Sequence, residues 1–100
     1  MELIRVYQAE WCPFSHMVRQ LLTEVGVDFV AIQVEPEPHQ RDTMAAAVGE
    51  RTIPVVVLED GTVLKGHTED IVDELARRYP TTRYSRAHHE RRLEARQFEP

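Results

Sequence analysis

Cysteine is almost absent from this 100-residue chain, which contains only Cys12. A single cysteine excludes an internal disulfide and a zinc site built from several thiolates. Long apolar runs are missing too, since none approaches the ~20 residues that span a bilayer. Residues 1–5 carry no basic segment ahead of an apolar one, so we expect no signal peptide. These absences predict a protein of the reducing cytoplasm with no membrane partner.

Basic side chains are in the minority, with 12 Lys and Arg against 17 Asp and Glu and a formal net charge of −5. Binding to nucleic acid phosphates needs a basic excess, so we expect no nucleic acid partner. The charge is also uneven, because residues 81–100 carry five Arg and three Glu whereas the rest is acidic. The length allows a single domain. We predict that this domain covers residues 1–80 and that the protein is a monomer. Residues 81–100 are predicted to form a charged tail, either helical or frayed.

The hydrophobic pattern predicts alternating strands and helices. Strands are expected over residues 3–7, 29–34, 53–58 and 62–65, and helices over 12–25, 39–48 and 68–79. Thr68 is the expected N-cap of the third helix, and Asp60-Gly61 predicts a hairpin between the last two strands. The first two strands need a helical crossover and are therefore parallel. This order, β-α-β-α-β-β-α, predicts an α/β fold in which helices flank a four-stranded mixed sheet, with an extra polar helix or frayed segment over residues 84–98.

Cys12 lies where the first predicted strand gives way to the first predicted helix, and Pro13 follows as the first helical residue. At such a turn the unpaired N–H groups of Phe14 and Ser15 point toward the sulfur, and the helix macrodipole adds a positive partial charge. Both effects lower a cysteine pKa. A lone cysteine is commonly a buried apolar residue. Turns from a strand into a helix, however, lie at the carboxyl ends of the strands, where open α/β sheets bind their ligands. We therefore predict a nucleophilic thiolate.

Ser15 stands three residues after Cys12, in the resolving position of a Cys-x-x-Cys redox motif. A serine hydroxyl donates a hydrogen bond to a thiolate but cannot close a disulfide. A serine in a first helical turn equally satisfies backbone groups, and the sequence leaves both interpretations open.

A second feature is the segment Arg51-Thr52-Ile53-Pro54, directly before a buried strand. A proline is tolerated at the first residue of a strand. A cis bond before Pro54 would turn the backbone of Ile53 toward the cysteine, although cis is the minority state for X–Pro bonds in general.

Together these residues resemble the glutaredoxin family of the thioredoxin fold. The sequence WCPFS at residues 11–15 resembles the active-site motif of the family, and GERTIP at residues 49–54 resembles its Gly-x-Arg-Thr-Val-Pro segment. GHTED at residues 66–70 stands where glutaredoxins carry a Gly-Gly-x-Asp-Asp turn into the last helix. The resemblance covers residues 2 to about 79, and it extends to mycoredoxins and to the N-terminal domains of glutathione transferases.

The resemblance implies roles for particular residues. It implies that the Ile53–Pro54 bond is cis and that the Ile53 backbone pairs with the cysteinyl part of a small thiol, with Thr52 and Arg51 beside it. The residues flanking the cysteine are implied to contact substrate, namely Trp11, Pro13 and Phe14. The turn into the last helix is implied to hold the far end of the small thiol through Thr68, Glu69 and Asp70.

The implied function is thiol–disulfide exchange by a monothiol mechanism, with Cys12 acting on mixed disulfides between client proteins and a low-molecular-weight thiol. The cosubstrate is glutathione or another such thiol, and no metal or covalently bound cofactor is expected. Ala9 replaces the lysine that glutaredoxins carry three residues before the cysteine, and Glu50 stands where they often have Gln. Both changes disfavour the glycine carboxylate of glutathione and favour a thiol without it, such as mycothiol.

Two alternatives come with the same resemblance. Monothiol glutaredoxins of CGFS type bind a [2Fe–2S] cluster across a dimer, which here would use Cys12 from two chains with two external thiols. The N-terminal domains of glutathione transferases suggest instead a redox-silent adaptor that has lost catalysis.

Overall fold

Four strands and four α-helices lie along residues 2–95, the part of the chain that the computed structural model describes. In chain order they are β1, Ile4–Gln8; α1, Pro13–Glu24; β2, Phe29–Gln33; α2, Asp42–Val48; β3, Val55–Val57; β4, Val63–Leu64; α3, Thr68–Arg78; and α4, Ser85–Ala95. A single turn of 3-10 helix, Pro38–Gln40, precedes α2. None of the helices in residues 2–95 has the length and apolar character needed to cross a lipid bilayer.

The strands form one mixed sheet in the order β2-β1-β3-β4. β1 and β2 are parallel, whereas β3 is antiparallel to both β1 and β4. The predicted parallel crossover and the predicted hairpin are both confirmed, as is the α/β fold class of thioredoxin type.

The sheet register brings distant parts of the chain to one edge. Tyr7 near the end of β1 pairs with Val55 at the start of β3, and Val56 pairs with Leu64 at the end of β4. Because β1 and β2 are parallel, the end of β2 lies at the same edge. The segments that follow β1, precede β3 and follow β4 therefore meet there, and they contain Cys12, Pro54 and residues 66–70.

The sheet carries an apolar core on each face, as successive side chains of a strand point to opposite sides. Val56 belongs to the larger cluster, which includes Val18 and Leu22 of α1 and Ile71 and Leu75 of α3. The smaller cluster on the other face combines Val55 and Val57 of β3 with Tyr7 of β1 and with Met44 and Val48 of α2. β3 is buried on both faces, as its continuous apolar run predicts.

Most element bounds differ from prediction by a residue or more, and three of the differences have a structural cause. His67, not Thr68, is the N-cap of α3: its backbone is extended, and its carbonyl accepts the Ile71 N–H at 3.1 Å. β3 begins only at Val55, since Pro54 has no N–H to donate to a ladder. The helix expected over 39–48 is divided at Arg41, whose ψ of 51° separates the 3-10 turn from α2. Arg41 turns there because its side chain bonds inward to backbone carbonyls.

The polar helix predicted near the end of the chain is present as α4 over Ser85–Ala95, and the predicted residues 96–98 lie outside the described part. None of its residues is buried. It attaches to the end of α1 by polar contacts: the Ser85 hydroxyl donates to the Glu24 carbonyl, and Nδ1 of His89 lies 2.7 Å from the Glu24 carboxylate. The domain boundary near residue 80 remains a prediction.

That boundary is testable by truncation after Pro80. We expect a folded domain that loses about 1–2 kcal/mol of unfolding free energy, because the contacts removed are mainly two polar ones, from Ser85 and His89 to Glu24. Leu75→Ala in the full chain is expected to cost about 2–5 kcal/mol, since Leu75 is fully buried. Urea unfolding measures both changes, and a truncated chain without a cooperative transition contradicts the boundary.

Candidate active site around Cys12

Cys12 is the N-cap of α1. Its backbone is extended, with φ −81° and ψ 119°, and Pro13 follows as the first helical residue. Its sulfur accepts a hydrogen bond from the backbone N–H of Ser15 at 3.4 Å. Sulfur thus occupies the place where an N-cap oxygen satisfies an unpaired helical N–H. The residue is 6% exposed, so only a small part of it reaches the surface.

The surroundings of the sulfur hold the pKa of the Cys12 thiol below its usual value. Burial raises this pKa by disfavouring the thiolate. Hydrogen bonds from the Ser15 hydroxyl and from the N–H groups of Ser15 and Phe14 lower it, as does the positive charge of Arg19, and these effects outweigh burial. The predicted thiolate stabilisation at the start of the helix is therefore present.

Ser15 is fully buried, and its neighbours fix the direction of its hydroxyl. Its Oγ accepts the backbone N–H of Ala9 at 3.5 Å, and its hydroxyl also lowers the pKa of Cys12. Ser15 thus satisfies a backbone group and acts on the sulfur, so both interpretations that the sequence left open are supported. Ser15 stabilises the thiolate without being able to form a disulfide with it.

Arg19 is a residue of this site that sequence reasoning missed. Its guanidinium donates to the side chain of Gln8 at the end of β1 and, at 3.3 Å, to the carboxylate of Glu10. Gln8 is buried and in turn donates to Gln33 of β2 at 3.0 Å. A sequence signal did exist, because Arg19 follows Cys12 by seven residues, or about two helical turns, and so lies on the same side of α1.

Two aromatic side chains flank the cysteine at the surface, with Trp11 67% and Phe14 55% exposed. Pro13 is exposed between them. Phe14 and Met17 form one wall of an open groove of about 580 Å³, and residues 66–70 form the other. Thr68, Glu69 and Asp70 therefore face the start of α1 across this groove.

The docking segment, residues 51–54, leads into β3. Its Ile53–Pro54 peptide is cis, as predicted. Pro54 is buried, Ile53 half-buried and Thr52 exposed. The Arg51 guanidinium is turned toward α2, where it bonds the Asp42 carboxylate at 2.7 Å and the carbonyl of Pro38 at 3.2 Å.

Glu50 differs from the free anion that the sequence suggests. Its carboxylate is folded back on the chain, accepting the N–H of Arg51 at 2.8 Å and that of Thr52 at 3.2 Å. These two bonds, followed by one from the Thr52 hydroxyl, lower the pKa of Glu50 and keep it ionised. Ala9, in the position of the family's lysine, is 5% exposed and packed at the end of β1.

The sheet register thus brings the three predicted motifs to one edge: the cysteine turn, the docking segment and the groove wall at the start of α3. Within residues 2–95, no cluster of three or more His, Cys, Asp or Glu side chains has the arrangement of a metal site.

The chain resembles known proteins in sequence and in fold. A family model described as Glutaredoxin matches residues 4–63. A glutaredoxin of Pseudomonas aeruginosa is 34% identical over 56 residues, which are 56% of this chain and 67% of the relative. A glutathione transferase homologue from Sulfitobacter with bound glutathione superimposes with a TM-score of 0.68 at 21% identity, over 80% of this chain and 38% of that one. Glutaredoxin 2 of Salmonella typhimurium, in complex with glutathione, superimposes with a TM-score of 0.64 at 17% identity. The match covers 75% of this chain and 33% of that one.

The two superpositions define the class, a thioredoxin-type fold, although this chain spans about two-fifths or less of the length of those two proteins. The family model covers more than half of the chain, and the chain belongs to the glutaredoxin family. This is a family of thiol–disulfide oxidoreductases.

The pKa of Cys12 gives the first test of the site. Reaction with iodoacetamide is expected to rise with pH and to level off at a lower pH than for an ordinary thiol of pKa ~8.5, because only the thiolate reacts. Ser15→Ala and Arg19→Gln each remove a group that lowers this pKa, so both are expected to move the midpoint to higher pH. Thiolate ultraviolet absorbance against pH measures the midpoint, with Cys12→Ser as the blank.

Arg19→Lys is the matched control, since it retains the positive charge. It is expected to stay closer to the wild-type midpoint than Arg19→Gln. A wild-type midpoint at or above ~8.5 contradicts the activation of Cys12.

Proposed function

We propose that the protein exchanges thiols and disulfides by a monothiol mechanism, acting on mixed disulfides between client proteins and a low-molecular-weight thiol. The observation that carries the proposal is the Cys12 sulfur at the start of α1, stabilised as thiolate by Ser15. The residue that would resolve a dithiol motif is a buried serine, so the second thiol has to come from solution.

The exchange proceeds in two displacements. In the first, the Cys12 thiolate attacks the sulfur of the small thiol in the mixed disulfide; a new S–S bond forms, the old one breaks, and the client leaves as a thiolate. In the second, a thiolate of a second small thiol attacks the sulfur now bonded to Cys12. This releases a small-molecule disulfide and restores the Cys12 thiolate. Each step exchanges one S–S bond for another, and water protonates the released client.

The small thiol is proposed to extend from Cys12 into the neighbouring groove, which Phe14, Met17 and residues 66–70 line. The Ile53 backbone would pair with its cysteinyl part, while Thr68, Glu69 and Asp70 would hold its far end. The groove of about 580 Å³ between α1 and α3 leaves room for such a ligand. The glutathione bound in the two solved structures of this fold supports a small-thiol cosubstrate in general. Exposed Trp11 and Phe14 would contact the client protein beside the reacting sulfur.

We further propose that thiols without a glycine carboxylate are preferred, mycothiol being one. Ala9 offers a buried methyl group where a cation would attract that carboxylate. The Arg51 guanidinium is already bonded to the Asp42 carboxylate. The Glu50 carboxylate is ionised and therefore repels a second carboxylate. The groove wall itself carries Glu69 and Asp70.

The cluster-carrier and adaptor alternatives gain no support from a specific contact of the described residues. Visible absorbance after anaerobic reconstitution with iron and sulfide distinguishes a cluster carrier, and loss of every exchange reaction distinguishes an adaptor.

The exchange mechanism is tested by mass. After incubation with the disulfides of glutathione, mycothiol and bacillithiol, the intact protein is expected to gain one small-thiol adduct, which a second small thiol then removes. Cys12→Ser is expected to abolish both reactions, because the chain has no other sulfur nucleophile of this kind. An exchange activity that survives in Cys12→Ser contradicts the mechanism.

The ligand preference is tested by removing only the carboxylate charge. The disulfide of glutathione with its glycine carboxyl amidated is expected to react roughly two- to fivefold faster than glutathione disulfide itself, the size expected for removing repulsion between exposed charges. The difference should shrink at high salt, because screening weakens exposed charge interactions. Equal rates at low salt contradict a charge-based preference.

A further inference from the structure

Arg41 is a buried cation whose partners are all backbone carbonyls. The residue is 2% exposed. Nε donates to the Glu35 carbonyl at 2.8 Å, Nη2 to that of Pro36 at 3.1 Å, and Nη1 to that of Arg51 at 2.7 Å. Over residues 2–95 the ion pairs involve other residues, and no carboxylate lies within 4.0 Å of this guanidinium. One side chain thus ties the segment that follows β2 to the docking segment that precedes β3.

The peptide group between Arg51 and Thr52 is held by opposite charges on its two sides. Its carbonyl oxygen accepts from the Arg41 guanidinium at 2.7 Å, and its N–H donates to the Glu50 carboxylate at 3.2 Å. Each charge favours the end of the peptide dipole that faces it, so the two contacts fix the same orientation. The same carboxylate also accepts the preceding N–H, that of Arg51.

From this geometry we infer that Arg41 and Glu50 act together as positioning residues for small-thiol docking, by orienting the peptide that leads into Ile53. The inference deepens the proposed function and rests on it. Ile53 follows this peptide by one residue, so the direction of its backbone groups depends on how the peptide is turned. Neither side chain is proposed to touch the reacting sulfur.

Stability alone is a poor explanation for this arrangement. Taking a guanidinium out of water is costly, and an apolar side chain of similar size commonly serves a core as well or better. A planar fork with several fixed donors is, in contrast, suited to holding three carbonyls in fixed directions. In this arrangement Glu50 orients the loop, and this role is separate from the effect of its charge on the choice of small thiol.

The inference is tested with two disulfides that differ in their peptide groups. The probe is the disulfide of N-acetylcysteine N-methylamide, which carries the amides of a cysteinyl residue and no charge. Bis(2-hydroxyethyl) disulfide is the control, because it undergoes the same exchange but has no amide to pair with Ile53. Second-order rate constants for adduct formation on Cys12 are measured by mass for both, and iodoacetamide alkylation reports thiolate reactivity alone.

We expect the wild-type protein to prefer the amide disulfide. Arg41→Met and Glu50→Ala are each expected to reduce that preference about tenfold, equivalent to about 1.4 kcal/mol. Alkylation and the reaction with the control disulfide are expected to change little. The double variant should lose no more than the more affected single variant, because both residues act on one peptide. Glu50→Gln retains an acceptor oxygen and should recover part of the preference.

Arg86→Met is the matched variant, since it removes one arginine charge from α4, where Arg86 pairs with Glu90 across exposed surface. It is expected to behave as wild type. If Arg41→Met does not fold, Glu50→Ala alone decides, because Glu50 is half-buried and its carboxylate bonds the N–H groups of Arg51 and Thr52 in its own loop. Variants that keep the wild-type preference overturn the inference and leave the proposed function standing. A wild-type protein with no preference overturns docking at Ile53, and this inference with it.

Discussion

The antiparallel pairing of β1 with β3 is the constraint on which the site depends. Tyr7 lies opposite Val55, so the chain leaves β1 toward Cys12 at the edge where it enters β3 from Pro54. The pairing of β3 with β4 then carries residues 66–70 to the same edge. A slip of one residue would turn the alternate side chains of β3 to the wrong faces and uncover both apolar cores. The packing of the core and the assembly of the site thus depend on the same register of β3.

The charges at this edge are satisfied largely by the backbone. Arg41 bonds carbonyls, Glu50 bonds N–H groups, and the Cys12 sulfur accepts a helical N–H. A charged group or a sulfur that bonds to peptide groups is held in one orientation, because the peptide groups are fixed by the fold. An ion pair between two long side chains at the surface, in contrast, contributes little free energy. The backbone at this edge is therefore held by several hydrogen bonds to charged groups and to sulfur, although much of the groove wall is exposed.

Arg19 supplies a positive charge to the sulfur, a different task from the one that the resemblance implies for the family's lysine. The family's cation three residues before the cysteine is replaced by the buried methyl group of Ala9. The positive charge that acts on the sulfur comes from α1, two turns further on, where Gln8 and Glu10 hold the guanidinium. That charge serves the thiolate, and its bond to Glu10 ties it to the turn before the cysteine. Activation of the sulfur and attraction of a carboxylate are thus separable in this chain.

The sequence alone was sufficient for the fold and the cysteine turn, because these depend on local pattern: apolar periodicity and a proline after the cysteine. The cis bond before Pro54 followed only from the resemblance of residues 49–54 to a family motif, because X–Pro bonds in general are mostly trans. Sequence reasoning missed the N-cap at His67, which depends on where the chain turns and not on capping chemistry. It also missed the inward turn of Arg41 and the fold-back of Glu50, since an arginine or glutamate in a polar loop ordinarily faces water. Only the tertiary structure decided these, because their partners are backbone groups whose directions exist only once β2, β3 and α2 have packed.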